Sequence, residues 1–180
     1  TQAGGRAENR PTDVTDDQTL AKLIEGTHQD HGRIDILHNN AGIQVAGGLE
    51  EIGGDGMDAS WRLNVRAHFM GCKLVVPHMK AQGGGSIINT ASNSGVFVDN
   101  GMLAYVTTKA ANIMMTRQIA LDYAKFNIRV NALCPGWVDT PFNEPYIRQM
   151  GGRAAIEKYV AEAIPMGRWA TANEIAEAIL

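Results

Sequence analysis

The chain has 180 residues, of which 44% are hydrophobic and 19% are charged, which suits one globular domain spanning residues 1–180. The net charge of -3 excludes the strongly basic surface on which nucleic-acid binding depends. No apolar stretch is long enough to span a bilayer. We therefore expect a protein that binds neither nucleic acid nor membranes.

The two cysteines, Cys72 and Cys134, are too few for a disulfide framework. Both lie in apolar stretches, so we expect two buried thiols in a reducing compartment and a cytoplasmic location. The segment Thr1 to Arg10 is polar and lacks the apolar core of a signal peptide. Because the chain does not begin with Met, we expect a fragment or a processed product.

Short apolar runs alternate along the chain with longer segments of helical periodicity. This alternation predicts an α/β fold with a parallel sheet covered by helices on both faces. Ligands of such sheets bind beyond the carboxyl ends of the strands, which makes the loops 39–42, 92–95 and 135–140 the predicted site. In chain order the predicted elements are a helix over 16–31, a strand over 33–38, a helix over 58–80, a strand over 86–91, a helix over 102–125, a strand over 128–134 and a helix that begins near Ala172.

Tyr105 and Lys109 lie four residues apart in the third predicted helix and therefore share one helix face. A free phenol has a pKa near ~10 and exchanges protons poorly at neutral pH. A neighbouring ammonium favours the phenolate, so we expect Lys109 to lower the pKa of Tyr105. Exposed helices also carry this spacing by chance, in which case the pair has no chemical role.

Ser92 directly follows the second predicted strand and precedes Tyr105 by thirteen residues. From that position its hydroxyl can hydrogen-bond a substrate oxygen while Tyr105 exchanges a proton. A turn or capping serine is the alternative interpretation, and Ser94 is a second candidate for the same role. The five histidines show no metal-ligand pattern, so we expect no metal, and His38 is predicted to be a core histidine.

These residues, together with further motifs in the same order, resemble the short-chain dehydrogenase/reductase family. The run Asn39 to Gly42 resembles the family's Asn-Asn-Ala-Gly motif, and Ser92, Tyr105 and Lys109 match its serine strand and Tyr-x-x-x-Lys helix. The likeness runs from about Asp13 to Leu180, and its other parts are Asp13 to Thr15, the asparagine Asn64, Pro135 to Thr140, and Pro165 to Trp169 with Glu174 and Ile175.

The resemblance implies an oxidoreductase that transfers a hydride between a nicotinamide cofactor, NAD or NADP, and a secondary alcohol or ketone. It assigns Tyr105 as the general acid–base, Ser92 to the substrate oxygen, and Lys109 to the pKa of Tyr105 and the nicotinamide ribose. Asn64 is expected to kink its helix and to hold a water linked to Lys109. The residues expected along the cofactor are Asp13 and Val14 at the adenine, Asn40, Ala41 and Gly42 at the ribose, and Pro135, Gly136, Val138 and Thr140 at the nicotinamide.

The family's first strand, glycine-rich turn and helix, which hold the pyrophosphate, have no counterpart in this sequence. The residue that separates NAD from NADP is also missing, and the last predicted helix reaches Leu180 without a following strand. We therefore expect a Rossmann-like doubly wound sheet, incomplete at both ends, that binds a dinucleotide weakly.

Two alternatives to the oxidoreductase stay open. One is an inactive relative that self-associates through the helices 58–80 and 102–125, which the family commonly pairs in dimers and tetramers. The other alternative is an extended relative with lyase or epimerase chemistry, although Asn64 is typical of the shorter dehydrogenase form.

The substrate is expected to contact residues 94–100 and a lid over 142–164. The apolar residues of this lid either form a wall of the site or simply pack in the fold: Phe142, Tyr146, Ile147 and Met150.

Overall fold

The computed structural model describes residues 4–179 of the chain. The predicted strands and helices are present in the predicted order, with bounds that differ by a few residues. In chain order they are α1 (Asp17–His31), β1 (Ile36–Asn39), α2 (Gly54–Trp61), a π-helical turn (Arg62–Arg66), α3 (Ala67–Ala81), β2 (Gly85–Thr90), α4 (Leu103–Tyr123), β3 (Ile128–Leu133), α5 (Glu144–Gln149), α6 (Arg153–Ala163) and α7 (Ala172–Glu177).

The three strands form one parallel sheet in the order β1-β2-β3. Ile87 of β2 lies opposite Leu37 of β1 and Val130 of β3. Because the strands are parallel, their carboxyl ends meet at one edge of the sheet, where the three predicted loops follow. The predicted parallel sheet flanked by helices is confirmed.

A single apolar cluster joins the sheet to the helices α1, α3 and α4. Ile87, Val75 and Met79 are completely buried at its centre, and Leu20 and Ile24 of α1 close it from outside. Partly buried side chains of α4, including Ile119, pack on the same cluster. Within residues 4–179 the three long helices therefore cover one face of the sheet, and not both faces as predicted.

The other face of the sheet carries side chains that are open to solvent. Ile36 of β1 is 60% exposed, and His38, two residues later on the same face, is also exposed. The prediction of a core histidine at 38 was wrong, because alternation along a strand does not reveal which face is covered. The His38 Nε2 atom instead lies 2.8 Å from the Thr90 Oγ1 atom.

The two cysteine predictions have different outcomes. Cys72 on α3 is buried, as expected, and burial raises the pKa of its thiol to about 11. Cys134 is exposed, contrary to prediction, because it follows the last residue of β3 at the open edge of the sheet. Neither thiol forms a disulfide within the described residues.

The helix predicted over 58–80 begins earlier, at Gly54, and contains a π-helical turn at Arg62–Arg66. Asn64 sits in this turn and is fully buried. Its amide pairs with the backbone of Ile43, whose N–H donates to Asn64 Oδ1 at 2.8 Å and whose carbonyl accepts from Asn64 Nδ2 at 3.0 Å. The helix irregularity expected at Asn64 is therefore present, and it aims the side chain at the loop after β1.

The sequence signals at helix ends are also present. Asn127, two residues after the end predicted for the third long helix, has the left-handed φ of 60°. Thr171 and Glu174 form a capping box at the start of α7, as the predicted start near Ala172 requires. Two predictions reach beyond the description: Thr1 to Ala3 of the polar start and Leu180 of the last helix lie outside the described residues. One domain over 1–180 stays a prediction.

Candidate active site

The loops after the three strands surround a cavity of about 550 Å³. Asn40 and Gly42 line it after β1, Ser92 after β2, and Gly136 after β3. From the helices, the cavity receives Tyr105 and Lys109 of α4. The structure thus brings together residues that are far apart in sequence, at the edge where ligands bind in parallel sheets.

Tyr105, Ser92 and Lys109 are almost completely buried although they line the cavity, with exposed fractions of 7%, 6% and 2%. The Lys109 Nζ atom lies 5.6 Å from the centre of the Tyr105 ring. Ser92 and Gln44 lie beside the Tyr105 phenol and act on its pKa. Ser94, the second candidate, is also buried and accepts a hydrogen bond from Ser92 at 3.2 Å between the two Oγ atoms.

The pKa of Tyr105 lies above its ordinary value, mainly because the phenol is buried, while the neighbouring polar groups of Ser92 and Gln44 act in the opposite direction. The sequence predicted a lowering by Lys109. The difference has a geometric reason: the Lys109 ammonium donates to the Thr90 carbonyl at 2.7 Å rather than to the phenol. The cost of desolvating the Tyr105 phenolate therefore outweighs its attraction to the Lys109 ammonium.

Lys109 itself is strongly affected by burial, which lowers its pKa to about 8. No carboxylate pairs with its ammonium among residues 4–179. The ammonium lies beside Gly42, since a Cβ atom at Gly42 would be 3.6 Å from Lys109 Nζ and 3.2 Å from Asn64 Oδ1. A glycine at this position therefore lets the loop after β1 approach the lysine and the asparagine.

The serine segment and α4 are in direct contact at Gly95. A Cβ atom there would lie 2.7 Å from the backbone carbonyl carbon of Lys109 and 2.8 Å from Ile113 Cδ1. No larger residue fits without moving the helix backbone. This contact explains how Ser92, at the end of β2, is held against the helix that carries Tyr105.

A buried polar pair beneath the loop after β1 was missed by sequence reasoning. His68 of α3 and Asn112 of α4 are both fully buried, and Asn112 Nδ2 lies 2.6 Å from His68 Nδ1 and 2.9 Å from the Asn64 carbonyl oxygen. The other ring nitrogen, Nε2, lies 2.8 Å from the Ala41 carbonyl oxygen. One tautomer satisfies all three contacts, with Nε2 donating to Ala41 and Nδ1 accepting from Asn112.

Burial lowers the pKa of His68 to about 4, so the ring is neutral near neutral pH, as that tautomer requires. The pair connects the loop to both long helices. A signal for it exists in the sequence: Asn64 and His68 are four residues apart, as are Thr108, Asn112 and Thr116, so polar residues recur at helical spacing in otherwise apolar helices.

Other predicted cofactor residues have mixed positions. Pro135, Val138 and Thr140 line the cavity with Gly136, as expected for a nicotinamide border. Ala41 is not among the lining residues and contacts the interior through its carbonyl group. Asp13 and Val14 also lie apart from the cavity: the Asp13 carboxylate accepts hydrogen bonds from Thr15, and Val14 packs on the apolar cluster.

A family model described as Enoyl-(Acyl carrier protein) reductase matches residues 1–180. Among curated proteins, the 2-(R)-hydroxypropyl-CoM dehydrogenase of Xanthobacter autotrophicus is 37% identical over 171 residues, which are 93% of this chain and 67% of that protein. The chain belongs to the short-chain dehydrogenase/reductase family. It spans about two thirds of the length of this relative.

Solved structures of other family members superpose closely on the chain. NAD+-bound xylitol dehydrogenase has a TM-score of 0.90 and 31% identity, covering 99% of this chain and 73% of that one. The gluconate 5-dehydrogenase of Burkholderia cenocepacia, in complex with NADP and tartrate, has a TM-score of 0.85 and 32% identity, covering 92% and 64%. Members of the family are NAD(P)-dependent dehydrogenases and reductases, and hydride transfer with a nicotinamide is general to them.

The residues around the cavity fit the nicotinamide and ribose end of such a cofactor. The Lys109 ammonium and the Asn40 amide offer donors for a diol, and the missing side chain at Gly42 leaves room beside them. No group of three or more His, Cys, Asp or Glu among the described residues is arranged to hold a metal ion. None of the helices between Gly4 and Ile179 has the length and apolar character that crossing a bilayer requires.

Proposed function

We propose that this site transfers a hydride between a nicotinamide cofactor and a secondary alcohol or ketone, with Tyr105 as the general acid–base. The observation that carries the proposal is the convergence of Ser92, Tyr105 and Lys109, all nearly completely buried, on one cavity. In such a site, hydrogen bonds to a developing charge are stronger than in water.

In the direction of reduction, the bound nicotinamide supplies a hydride to the carbonyl carbon. Tyr105 donates its phenolic proton to the carbonyl oxygen, while Ser92 donates a hydrogen bond to the same oxygen as its negative charge grows. In oxidation the Tyr105 phenolate accepts the alcohol proton. The raised pKa of Tyr105 favours the protonated form that reduction uses.

Lys109 has two roles in this proposal. Its ammonium stabilises the phenolate that remains after proton transfer, and it binds the hydroxyls of the nicotinamide ribose. Its position beside Gly42 supports the second role. Asn64 acts as a positioning residue, because it holds Ile43 next to Gly42, and we assign to it the water that links Lys109 to solvent.

The cofactor is NAD or NADP. Six of the predicted contacts are supported by both the resemblance and the cavity: Asn40, Gly42, Pro135, Gly136, Val138 and Thr140. Assignment of Ala41 to the ribose, and of Asp13 and Val14 to the adenine, rests on the resemblance alone.

The substrate in this proposal is a small-molecule alcohol or ketone that enters between Ser92 and the segment after β3. Of the four apolar residues considered for its wall, Phe142 and Tyr146 line the cavity. Ile147 and Met150 are absent from its lining, and Ile147 is buried in packing instead. The proposed apolar wall is therefore limited to Phe142 and Tyr146.

We also propose self-association into a dimer or tetramer through α3 and α4. Phe69 of α3 and Met114 and Leu121 of α4 support this, because all three are large apolar side chains exposed on these helices. A cytoplasmic location rests on composition and stays a prediction.

The experiment that tests the function compares Tyr105→Phe with the unchanged chain in NADH- and NADPH-dependent ketone reduction, over a wide range of cofactor concentration. We expect the variant to lose about 10²- to 10⁴-fold in kcat, the typical contribution of general acid–base catalysis. Tyr123→Phe, which removes a hydroxyl from the far end of the same helix, is the matched control and should retain full activity. Equal rates for the unchanged chain and Tyr105→Phe would favour the inactive, self-associating alternative.

A further inference from the structure

The part of the cavity beyond Tyr105 carries hydrogen-bond acceptors that have no partner. Asp99 lines the cavity, and among residues 4–179 no cation forms an ion pair with its carboxylate. The Oε1 atom of Gln44, another lining residue, is buried and makes no hydrogen bond with any described residue. The buried Gln44 acceptor is costly unless a ligand donates to it, and the partly exposed Asp99 carboxylate offers a second acceptor.

The orientation of Gln44 is held by its neighbours. Its Nε2 atom donates to Asn143 Oδ1 at 3.2 Å, and Asn143 Nδ2 donates in turn to the Val138 carbonyl at 2.7 Å. Because the side-chain nitrogens of Gln44 and Asn143 both donate within this chain of bonds, the side-chain carbonyl oxygen of Gln44 is the group left for a ligand. Asp99 lines the same cavity as Gln44, Tyr105 and Tyr146.

The charges of the lining residues are unevenly distributed. Lys109 is the one cation among the described lining residues, and its ammonium is bound to the Thr90 carbonyl next to the loop after β1. Among the described lining residues, no second cation is present to neutralise a negatively charged substrate. Aromatic rings complete this half of the cavity, with Trp137 and Tyr146 stacked at 5.6 Å between their ring centres.

Resting on the proposed function, we propose that the substrate is a neutral polyhydroxylated alcohol or the corresponding hydroxyketone, selected by Asp99 and Gln44. Its hydroxyl groups donate to both acceptors, and its C–H faces pack on Trp137 and Tyr146. An apolar alcohol leaves the acceptors unpaired, and a site built for such donors rejects a substrate that lacks them. A polyhydroxy acid meets the Asp99 carboxylate with a like charge.

The test measures dissociation constants by tryptophan fluorescence, since Trp137 lines the cavity. The probes are xylitol, gluconate and the apolar cyclohexanol, each with and without NADH. We expect xylitol to bind at least about tenfold more tightly than gluconate, the effect of one like charge at close range, and to bind more tightly than cyclohexanol, which lacks the additional hydroxyl donors.

Asp99→Asn removes the charge and keeps the shape of the side chain. It should tighten gluconate binding about tenfold and change xylitol binding less than about threefold. Asp58→Asn, the same change at an exposed position of α2, is the matched control and should alter neither constant. The proposal is overturned if xylitol does not bind, if cyclohexanol binds more tightly, or if Asp99→Asn leaves the gluconate-to-xylitol ratio unchanged.

Binding and catalysis separate the two proposals. Selective xylitol binding without hydride transfer would support this inference and refute the proposed function. Hydride transfer to simple ketones without a preference for polyols would support the function and overturn the inference.

Discussion

The two sides of the cavity are held in place by different means. On the side of the loop after β1, buried hydrogen bonds join Ala41 and Ile43, on either side of Gly42, through Asn64 and His68 to both long helices. On the side of Asp99, the chain is a loop whose apolar tip is open to solvent, with Val98 86% exposed. The first side is therefore a rigid frame that suits a cofactor of constant structure. The residues of the second side can change with the substrate at little cost in folding stability.

The substitution with the largest expected effect removes a buried side chain from the rigid frame beneath the loop after β1. His68→Ala removes a fully buried ring, leaves a cavity, and leaves the Ala41 carbonyl and one Asn112 N–H without partners. We expect the free energy of unfolding in urea to fall by about 4 kcal/mol, within the range of large core truncations and unpaired polar groups. His31→Ala, at an exposed position, is the control, and a loss below about 1 kcal/mol for His68→Ala would refute the rigid-frame account.

A smaller effect on the free energy of unfolding is expected from the buried Lys109 ammonium. Below pH 8 Lys109 is protonated in the folded and unfolded chain, so the cost of burying its charge is fully present. Between pH 8 and 10.5, the ordinary pKa of lysine, the unfolded chain keeps the proton and the folded chain loses it. Stability due to this group therefore rises with pH.

Urea unfolding at both ends of this pH window measures the effect. The stability of Lys109→Met relative to the unchanged chain should fall by up to about 3 kcal/mol between pH 8 and 10.5, because only the unchanged chain gains from deprotonation. Lys73→Met, at an exposed position on α3, should show no such change. A constant difference for Lys109→Met would mean that the lysine is not desolvated.

The smallest effect belongs to the other side of the cavity. Val98→Ala shortens an exposed side chain at the loop tip, and we expect a change in unfolding free energy within about 0.5 kcal/mol. Val75→Ala, the same substitution at a completely buried position in α3, is the comparison and should cost several times more. Similar losses for the two variants would show that the loop is part of the packed frame.

The sequence predicted those features that depend on local spacing. Tyr105 and Lys109 had to share a face because they are four residues apart in a helix, and Ser92 had to lie at the sheet edge because it ends a strand. Asn127 stops the long helix because asparagine tolerates left-handed backbone geometry.

Features that depend on which elements meet in space were not predicted. The exposure of His38 and Cys134 follows from which side of each strand the helices cover, and strand alternation is the same either way. The contact between His68 and Asn112 joins residues 44 positions apart. The direction of the Tyr105 pKa shift also depends on such distant contacts, because the Thr90 carbonyl draws the Lys109 ammonium away from the phenol.

Hydride transfer in this cavity, with Tyr105 supplying the proton, can be tested most directly with an isotopic label on the hydride. The chain is incubated with NADH deuterated at the transferred position and with a hydroxyketone, and the product alcohol is analysed by mass spectrometry. We expect one deuterium on the new carbinol carbon for the unchanged chain, and labelled product that forms about 10²- to 10⁴-fold more slowly in Tyr105→Phe. Product without deuterium, or an equal rate of labelled product in the variant, would contradict this mechanism.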